Sequence, residues 1–92
     1  MITRLVKMEF RQEEIENFRS IFLNVQPLIE KMDGCLAVNL HQDVNEPKVF
    51  FTISKWESEV GLENYRQSEV FITTWKKVKP LFSNKAEAWS LI

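Results

Sequence analysis

Residues 35–56 read CLAVNLHQDVNEPKVFFTISKW, which is two alternating runs separated by a short polar stretch. The alternating apolar residues are Leu36, Val38 and Leu40 in the first run, then Val49, Phe51 and Ile53 in the second. A period of two is typical of β-strands, and the VNEP stretch between the runs supplies turn residues. The sequence therefore predicts a β-hairpin in the middle of the chain.

The segment before the hairpin predicts one strand and one helix. Residues 1–11 alternate between apolar and polar positions, as a strand does, although Leu5 adds an apolar residue to the second set. From Glu13 to Met32 the apolar residues step by three and four, which is the pattern of an amphipathic helix. Gly34 follows this pattern and provides a residue at which helices commonly stop.

The segment after the hairpin predicts two short helices and a last strand. Ser58 is a candidate cap for a helix that runs through Gln67, and Ser68 is a candidate cap for a second one. That second helix carries apolar residues at helical spacing, namely Phe71, Trp75, Val78 and Phe82. Pro80 favours its termination, and residues 85–92 alternate again. The order βαββαβ predicts an α+β, ferredoxin-like antiparallel sheet with helices on one face, and we expect residues 1–92 to form one domain.

Both faces of the predicted sheet carry large apolar side chains. Phe50 and Trp56 have the opposite parity to Phe51 and Ile53, and Trp89 lies opposite the alanines of the last strand. In the predicted fold the helices cover one face, and a bare second face would be a larger apolar patch than monomers usually expose. A second copy presenting the same face would bury it, so the sequence predicts a homodimer that packs sheet against sheet.

Composition excludes several partners and compartments. The 12 Lys and Arg residues balance 13 Asp and Glu residues without forming a basic run, so nucleic acid is not an expected partner. No apolar run approaches the ~20 residues that cross a bilayer, so we expect no membrane association. The lone cysteine, Cys35, cannot form an intrachain disulfide, which favours a cytoplasmic location. Its apolar neighbours indicate a small buried side chain rather than a nucleophile.

The stretch that follows the hairpin resembles a known family. A strand ends in Trp56 and continues as Trp-Glu-Ser-Glu, followed by Leu62, Tyr65, Ser68-Glu69-Val70-Phe71 and Trp75. This pattern is similar to that of the antibiotic biosynthesis monooxygenase (ABM) family of dimeric α+β barrel proteins. The resemblance implies a face-to-face sheet dimer, with a pocket in each subunit between the sheet and the helices. It also implies activities that include cofactor-free oxygenation of phenols and quinols and, in one branch, binding and degradation of haem.

Differences from the two branches guide the functional prediction. The haem-degrading branch has Asn where this chain has Thr3, Trp in place of Tyr65, and an iron-ligating His in place of Trp75. An indole has no lone pair to offer a metal, so the usual haem ligation is disfavoured and no metal site is expected. Some cofactor-free oxygenases have an Asn where this chain has Thr52, whose hydroxyl can still form a hydrogen bond with a phenolic oxygen.

The site that we predict has no cofactor and binds a small aromatic molecule. Trp56, Tyr65 and His41 are the candidate catalytic residues, and His41 is the best proton acceptor among them. The candidate substrate-binding residues are Thr3, Asn39, Thr52, Phe71 and Trp75. Core packing is the competing interpretation of each aromatic residue. We expect Trp56 and Tyr65 to lie near a cavity, and Trp75 to be partly core.

Three functions remain open on this sequence. The first is a cofactor-independent monooxygenase acting on a small aromatic or quinol-type substrate. The second is a non-catalytic small-molecule-binding or stress-response protein of the same fold, which predicts a small or filled pocket. The third is a haem-binding or haem-degrading protein with non-standard ligation, for example by His41.

Overall fold

Four strands and three α-helices follow one another in the computed structural model, which describes residues 1–92. The elements are β1 (Ile2–Phe10), α1 (Ile15–Glu30), β2 (Cys35–Gln42), β3 (Val49–Trp56), α2 (Glu59–Arg66), α3 (Glu69–Val78) and β4 (Phe82–Leu91). Short 3₁₀ turns precede α1 and follow α3. The predicted hairpin is therefore β2 and β3, and the two predicted short helices are α2 and α3.

The strands form one antiparallel sheet in the order β2-β3-β1-β4. This order confirms the predicted ferredoxin-like fold. The three helices pack on one face of the sheet, which we call the helix-covered face. The core between them contains Met8, Phe10, Phe50 and Trp56 from the strands, together with Phe18 and Phe22 of α1. No helix is long and apolar enough to span a membrane.

The opposite side of the sheet, which we call the open face, also carries large apolar side chains. Leu5 of β1 lies directly between Ile53 of β3 and Trp89 of β4 in the strand register. Trp89 is 41% exposed and Leu91, on the same face, is 47% exposed. Both faces of the sheet therefore carry large apolar side chains, as predicted, and the chain leaves those of the open face partly exposed.

The end of α3 differs from the sequence prediction. The helix ends at Val78, and Lys79–Leu81 form the 3₁₀ turn that contains Pro80. Phe82, expected on the helix, instead begins β4 and lies opposite Phe10 in the register. Its backbone is extended because the proline turn breaks the helical pattern, while the ring still reaches the core beside Phe10, 5.3 Å away between centroids.

The only two glycines of the chain bring α2 close to the start of β2. Gly34 has a φ of 83°, a conformation that residues with a side chain rarely adopt. A Cβ atom on Gly61 would lie 3.3 Å from the carbonyl oxygen of Asp33 and 3.5 Å from the Cα atom of Gly34. The missing side chains therefore let the backbone of α2 rest on the turn that leads out of α1.

Ser68 joins the two short helices. Its hydroxyl accepts a hydrogen bond from the amide of Phe71 at 3.2 Å and donates one to the carbonyl of Tyr65 at 2.6 Å. Ser58 caps α2 by a longer contact, 3.4 Å from the amide of Gly61. Both predicted caps are therefore present, and Ser68 alone satisfies groups of two helices.

Replacing Ser68 with alanine is expected to lower the free energy of unfolding by about 1–2 kcal/mol, since it removes a helix cap and the hydroxyl hydrogen bond to the carbonyl of Tyr65, which keeps the one from the backbone amide of residue 68. Urea unfolding measures this loss. The matched control is Ser58→Ala, which removes the longer contact and should cost less. Equal losses in the two variants would contradict a special role for Ser68.

Candidate functional site

A cavity of about 330 Å³ lies between the helix-covered face and the three helices. This volume is within the range of pockets that hold small organic ligands. Apolar side chains of α1 and α3 form most of its wall, among them Phe22, Val25 and Val78. The polar lining residues are few, and they are Arg4, Thr52, Ser54, Arg66 and Thr74, with the hydroxyl of Tyr65.

The strand register explains the arrangement of the cavity floor. Arg4 of β1 lies directly between Ser54 of β3 and Ser90 of β4, and its Nη1 donates a hydrogen bond to the Ser90 hydroxyl at 3.0 Å. The next row on the same face places Val6 between Thr52 and Ala88. The floor therefore has one polar row, centred on a guanidinium, beside a largely apolar row.

Tyr65 presents a phenol that remains protonated. It lines the cavity from α2, and its hydroxyl has no hydrogen-bond partner within the chain. Burial raises the pKa of Tyr65 to about 12, with a smaller contribution from Cys35. At neutral pH the hydroxyl is therefore available as a hydrogen-bond donor to a ligand, and it is not a base.

Trp56 lies behind the cavity wall. Its indole is fully buried and stacks on the ring of Tyr65, with centroids 5.1 Å apart. Its Nε1 donates a hydrogen bond to the Ser54 hydroxyl at 2.9 Å, and Trp56 does not line the cavity. It supports two lining residues, Ser54 and Tyr65, and makes no surface for a ligand.

Trp75 and Phe71 line the cavity from α3. Their rings are stacked, with centroids 5.9 Å apart and planes 8° apart. Trp56, expected near the cavity, lies directly behind its wall, and Trp75, expected to be partly core, packs on Phe82 and also lines the cavity. Trp75 and Val78 are three residues apart, so both lie on the side of α3 that faces the sheet. The cavity lies beneath this part of α3, and both side chains therefore line it.

Besides Trp56, three of the predicted site residues do not line the cavity. Thr3 pairs with Lys55 and Leu91, Asn39 with Ile53, and His41 with Phe51, so all three side chains are on the open face. Asn39 and His41 are exposed there. The structure therefore brings together Tyr65, Thr52, Phe71 and Trp75, and it separates Thr3, Asn39 and His41 from them by the thickness of the sheet.

Arg4, Ser54, Arg66 and Thr74 are lining residues that sequence reasoning missed. A signal for two of them was present, because Arg4 has the parity of Ile2, Val6 and Met8, and Ser54 has the parity of Phe50 and Trp56. Burial, followed by the charge of Arg66, lowers the pKa of Arg4. The two guanidinium groups therefore act on one another at the same cavity.

The residues that could bind a metal or haem iron are poorly placed for it. His41 is on the open face, so its imidazole does not line the cavity, and non-standard ligation of haem by His41 stays a prediction. Cys35 is half-buried and packs against the core, and burial raises the pKa of its thiol. The structure contains no cluster of three or more His, Cys, Asp and Glu side chains that could hold a metal ion.

Comparison with known proteins supports the fold at high structural similarity and low sequence identity. A crystal structure described as an antibiotic biosynthesis monooxygenase superposes with a TM-score of 0.93 at 16% identity, covering 100% of this chain and 97% of that one. Rv0793 from Mycobacterium tuberculosis gives a TM-score of 0.91 at 14% identity, covering 99% of this chain and 92% of that one. A conserved protein from Methanosarcina mazei gives a TM-score of 0.93 at 17% identity, covering 99% of this chain and 91% of that one.

The sequence itself identifies the family. No curated protein matches the chain in sequence. The sequence profile of the antibiotic biosynthesis monooxygenase family, in contrast, matches residues 1–77, which include every cavity-lining residue except Val78 and Ala88. This match agrees with the resemblance carried by the stretch from Trp56 to Trp75, and we conclude that the chain belongs to the antibiotic biosynthesis monooxygenase family.

Proposed function

We propose that this protein is a cofactor-independent monooxygenase that binds a small aromatic or quinol-type substrate in the cavity of about 330 Å³. The observation that carries the proposal is the protonated Tyr65 hydroxyl, which has no partner in the chain and lines a mostly apolar cavity. Membership of the family supports the reaction class. The aromatic rings of Phe71 and Trp75 offer flat surfaces for a planar substrate.

In the proposed reaction the substrate is its own reductant. An electron-rich phenol loses one ring C–H hydrogen and its hydroxyl hydrogen, which leave with one atom of O₂ as water, and the other oxygen atom bonds to that ring carbon, so that the product is a quinone. The protein contributes binding and electrostatic stabilisation. Tyr65 donates to the substrate oxygen as negative charge develops on it, and Thr52 offers a second hydroxyl on the cavity floor.

We also propose that two copies associate through their open faces. The row of Leu5, Ile53 and Trp89 is contiguous across three strands, and a two-fold axis would bring it against itself. The cavity lies on the other side of the sheet, so each subunit would keep its own site. The lone cysteine continues to favour the cytoplasm as the compartment in which the protein works.

Replacing Tyr65 with phenylalanine is expected to lower kcat for oxidation of a quinol by about a hundredfold, because it removes one donor to the developing oxyanion. Oxygen uptake with a panel of quinols measures this. The ratio of wild-type to variant rates should stay constant between about pH 6 and pH 9, since the Tyr65 pKa of about 12 keeps the phenol protonated throughout.

The phenylalanine ring retains the stack on Trp56, so the variant should unfold at the temperature of the wild type. Uptake without protein gives the rate of spontaneous oxidation. Absence of wild-type turnover with every quinol, while an aromatic ligand still binds, would replace the proposal with the alternative of a non-catalytic binding protein. Unchanged turnover in Tyr65→Phe would remove the role given to Tyr65.

A further inference from the structure

The charges around the cavity are unbalanced. Arg4 and Arg66 line it, and none of the other lining residues is Asp or Glu. Arg66 is compensated, because its Nη1 lies 3.2 Å from a carboxylate oxygen of Glu63. Arg4 forms no salt bridge, and its hydrogen bond goes to the neutral hydroxyl of Ser90. Glu63 acts on Arg4 only from a longer distance, and its effect on the Arg4 pKa is smaller than those of burial and of Arg66, so one guanidinium faces the cavity without a carboxylate in salt-bridge contact.

The other polar groups near Arg4 are also arranged to donate. The Ser54 oxygen already accepts the indole N–H of Trp56, which leaves its own proton free for an acceptor. Tyr65 offers a protonated phenol. The lining contains no Asp, Glu, His, Lys or Cys side chain that could take up a proton at neutral pH. A ligand that needs to lose a proton must therefore lose it to water before or during binding.

From this arrangement we infer that the cavity recognises aromatic anions, with the ring against the apolar wall and a negatively charged oxygen bound by Arg4 and the Ser54 hydroxyl. The inference rests on the proposed function, because it takes this cavity as the substrate site. Two kinds of ligand carry such an oxygen, an aromatic carboxylate and an ionised phenol. In the second case the guanidinium would select the deprotonated substrate from solution, so no side chain such as His41 would be needed as a base.

Two matched probe pairs test the inference by isothermal titration calorimetry. The first is 2-naphthoate against 2-naphthamide, which have nearly the same shape and differ in charge. The second is ionised 4-nitro-1-naphthol against its methyl ether. We expect at least one anion to bind the wild type about tenfold to a hundredfold more tightly than its neutral counterpart, as a charge-assisted hydrogen bond provides.

Preference for the carboxylate alone would identify an acid substituent as the group held by Arg4. Preference for the phenolate alone would place the reacting oxygen there, and preference in both pairs would mean that Arg4 selects by charge. In Arg4→Met the preference should fall to less than about threefold, while the neutral probes should bind within about twofold of the wild type. The double variant Glu63→Gln/Arg66→Met is the control, and it should keep most of the preference because it removes the two paired charges together and leaves Arg4 in place.

Equal affinity for charged and neutral members of both pairs would overturn the inference and leave the proposed function standing. A preference that survives in Arg4→Met would also overturn it. The comparison in the wild type decides the question even where the variant does not fold. Failure of all four probes to bind would remove both the inference and the proposal of an aromatic substrate.

Discussion

Replacing Trp56 with alanine is expected to lower the free energy of unfolding by about 3–5 kcal/mol, which is a large share of the stability of a domain of this size. The indole is fully buried, so its loss leaves a void in the core. The ring of Tyr65 loses the surface on which it stacks, and the Ser54 hydroxyl loses the hydrogen bond that it accepts from the indole N–H. Urea unfolding followed by circular dichroism measures the loss.

Two variants make the result specific. Trp56→Phe keeps a ring beneath Tyr65 and removes the hydrogen bond to Ser54, so it should cost less than the alanine variant. Leu23→Ala on α1 removes an apolar side chain that is 66% exposed, and it should change the stability by less than about 0.5 kcal/mol. If Trp56→Ala lost less than about 1 kcal/mol, the assignment of Trp56 to the core would be untenable.

Replacing Leu5 with glutamate is expected to convert the proposed dimer into monomers. Leu5 lies at the centre of the apolar row on the open face, so the substitution places a carboxylate from each subunit in the proposed interface. Burying such unpaired charges costs several kcal/mol, which weakens association by about a thousandfold or more. Sedimentation velocity at micromolar concentration measures the change.

Leu23→Glu is the matched control for this prediction. It makes the same chemical change at an exposed position of α1, on the side of the molecule away from the open face, and should leave the wild-type association intact. Circular dichroism of Leu5→Glu checks that the monomer keeps its fold. A wild-type protein that sediments as a monomer at micromolar concentration would refute the proposed dimer.

The family and the fold follow from the sequence because their signals are local. Alternation in residues 35–56 predicts β2 and β3 directly, and Ser58 and Ser68 mark the starts of α2 and α3 as the structure has them. The misplacement of Phe82 has a simple cause, because a residue just after a proline turn can continue a helical spacing by chance.

The composition of the site could be predicted only in part, because both parities of the strands are apolar. The alternation separates Asn39 and His41 from Val38 and Leu40, but it does not say which set faces the helices. The same ambiguity hides Arg4, which shares the parity of Ile2 and Val6 and becomes a cavity residue only when α2 and α3 are placed above it. Whether Trp75 lines the void depends on the distance between α3 and the sheet. The spacing of apolar residues along a helix does not determine that distance.

The three tryptophans of this chain occupy three different environments, and this gives the protein a built-in set of fluorescent reporters. Trp56 is sealed in the core, Trp75 borders the cavity and Trp89 is 41% exposed on the open face. A small quencher in solution should therefore reach Trp89 first. Occupation of the void would alter the emission of Trp75, association of two copies would shield Trp89, and only denaturation would bring Trp56 into contact with solvent.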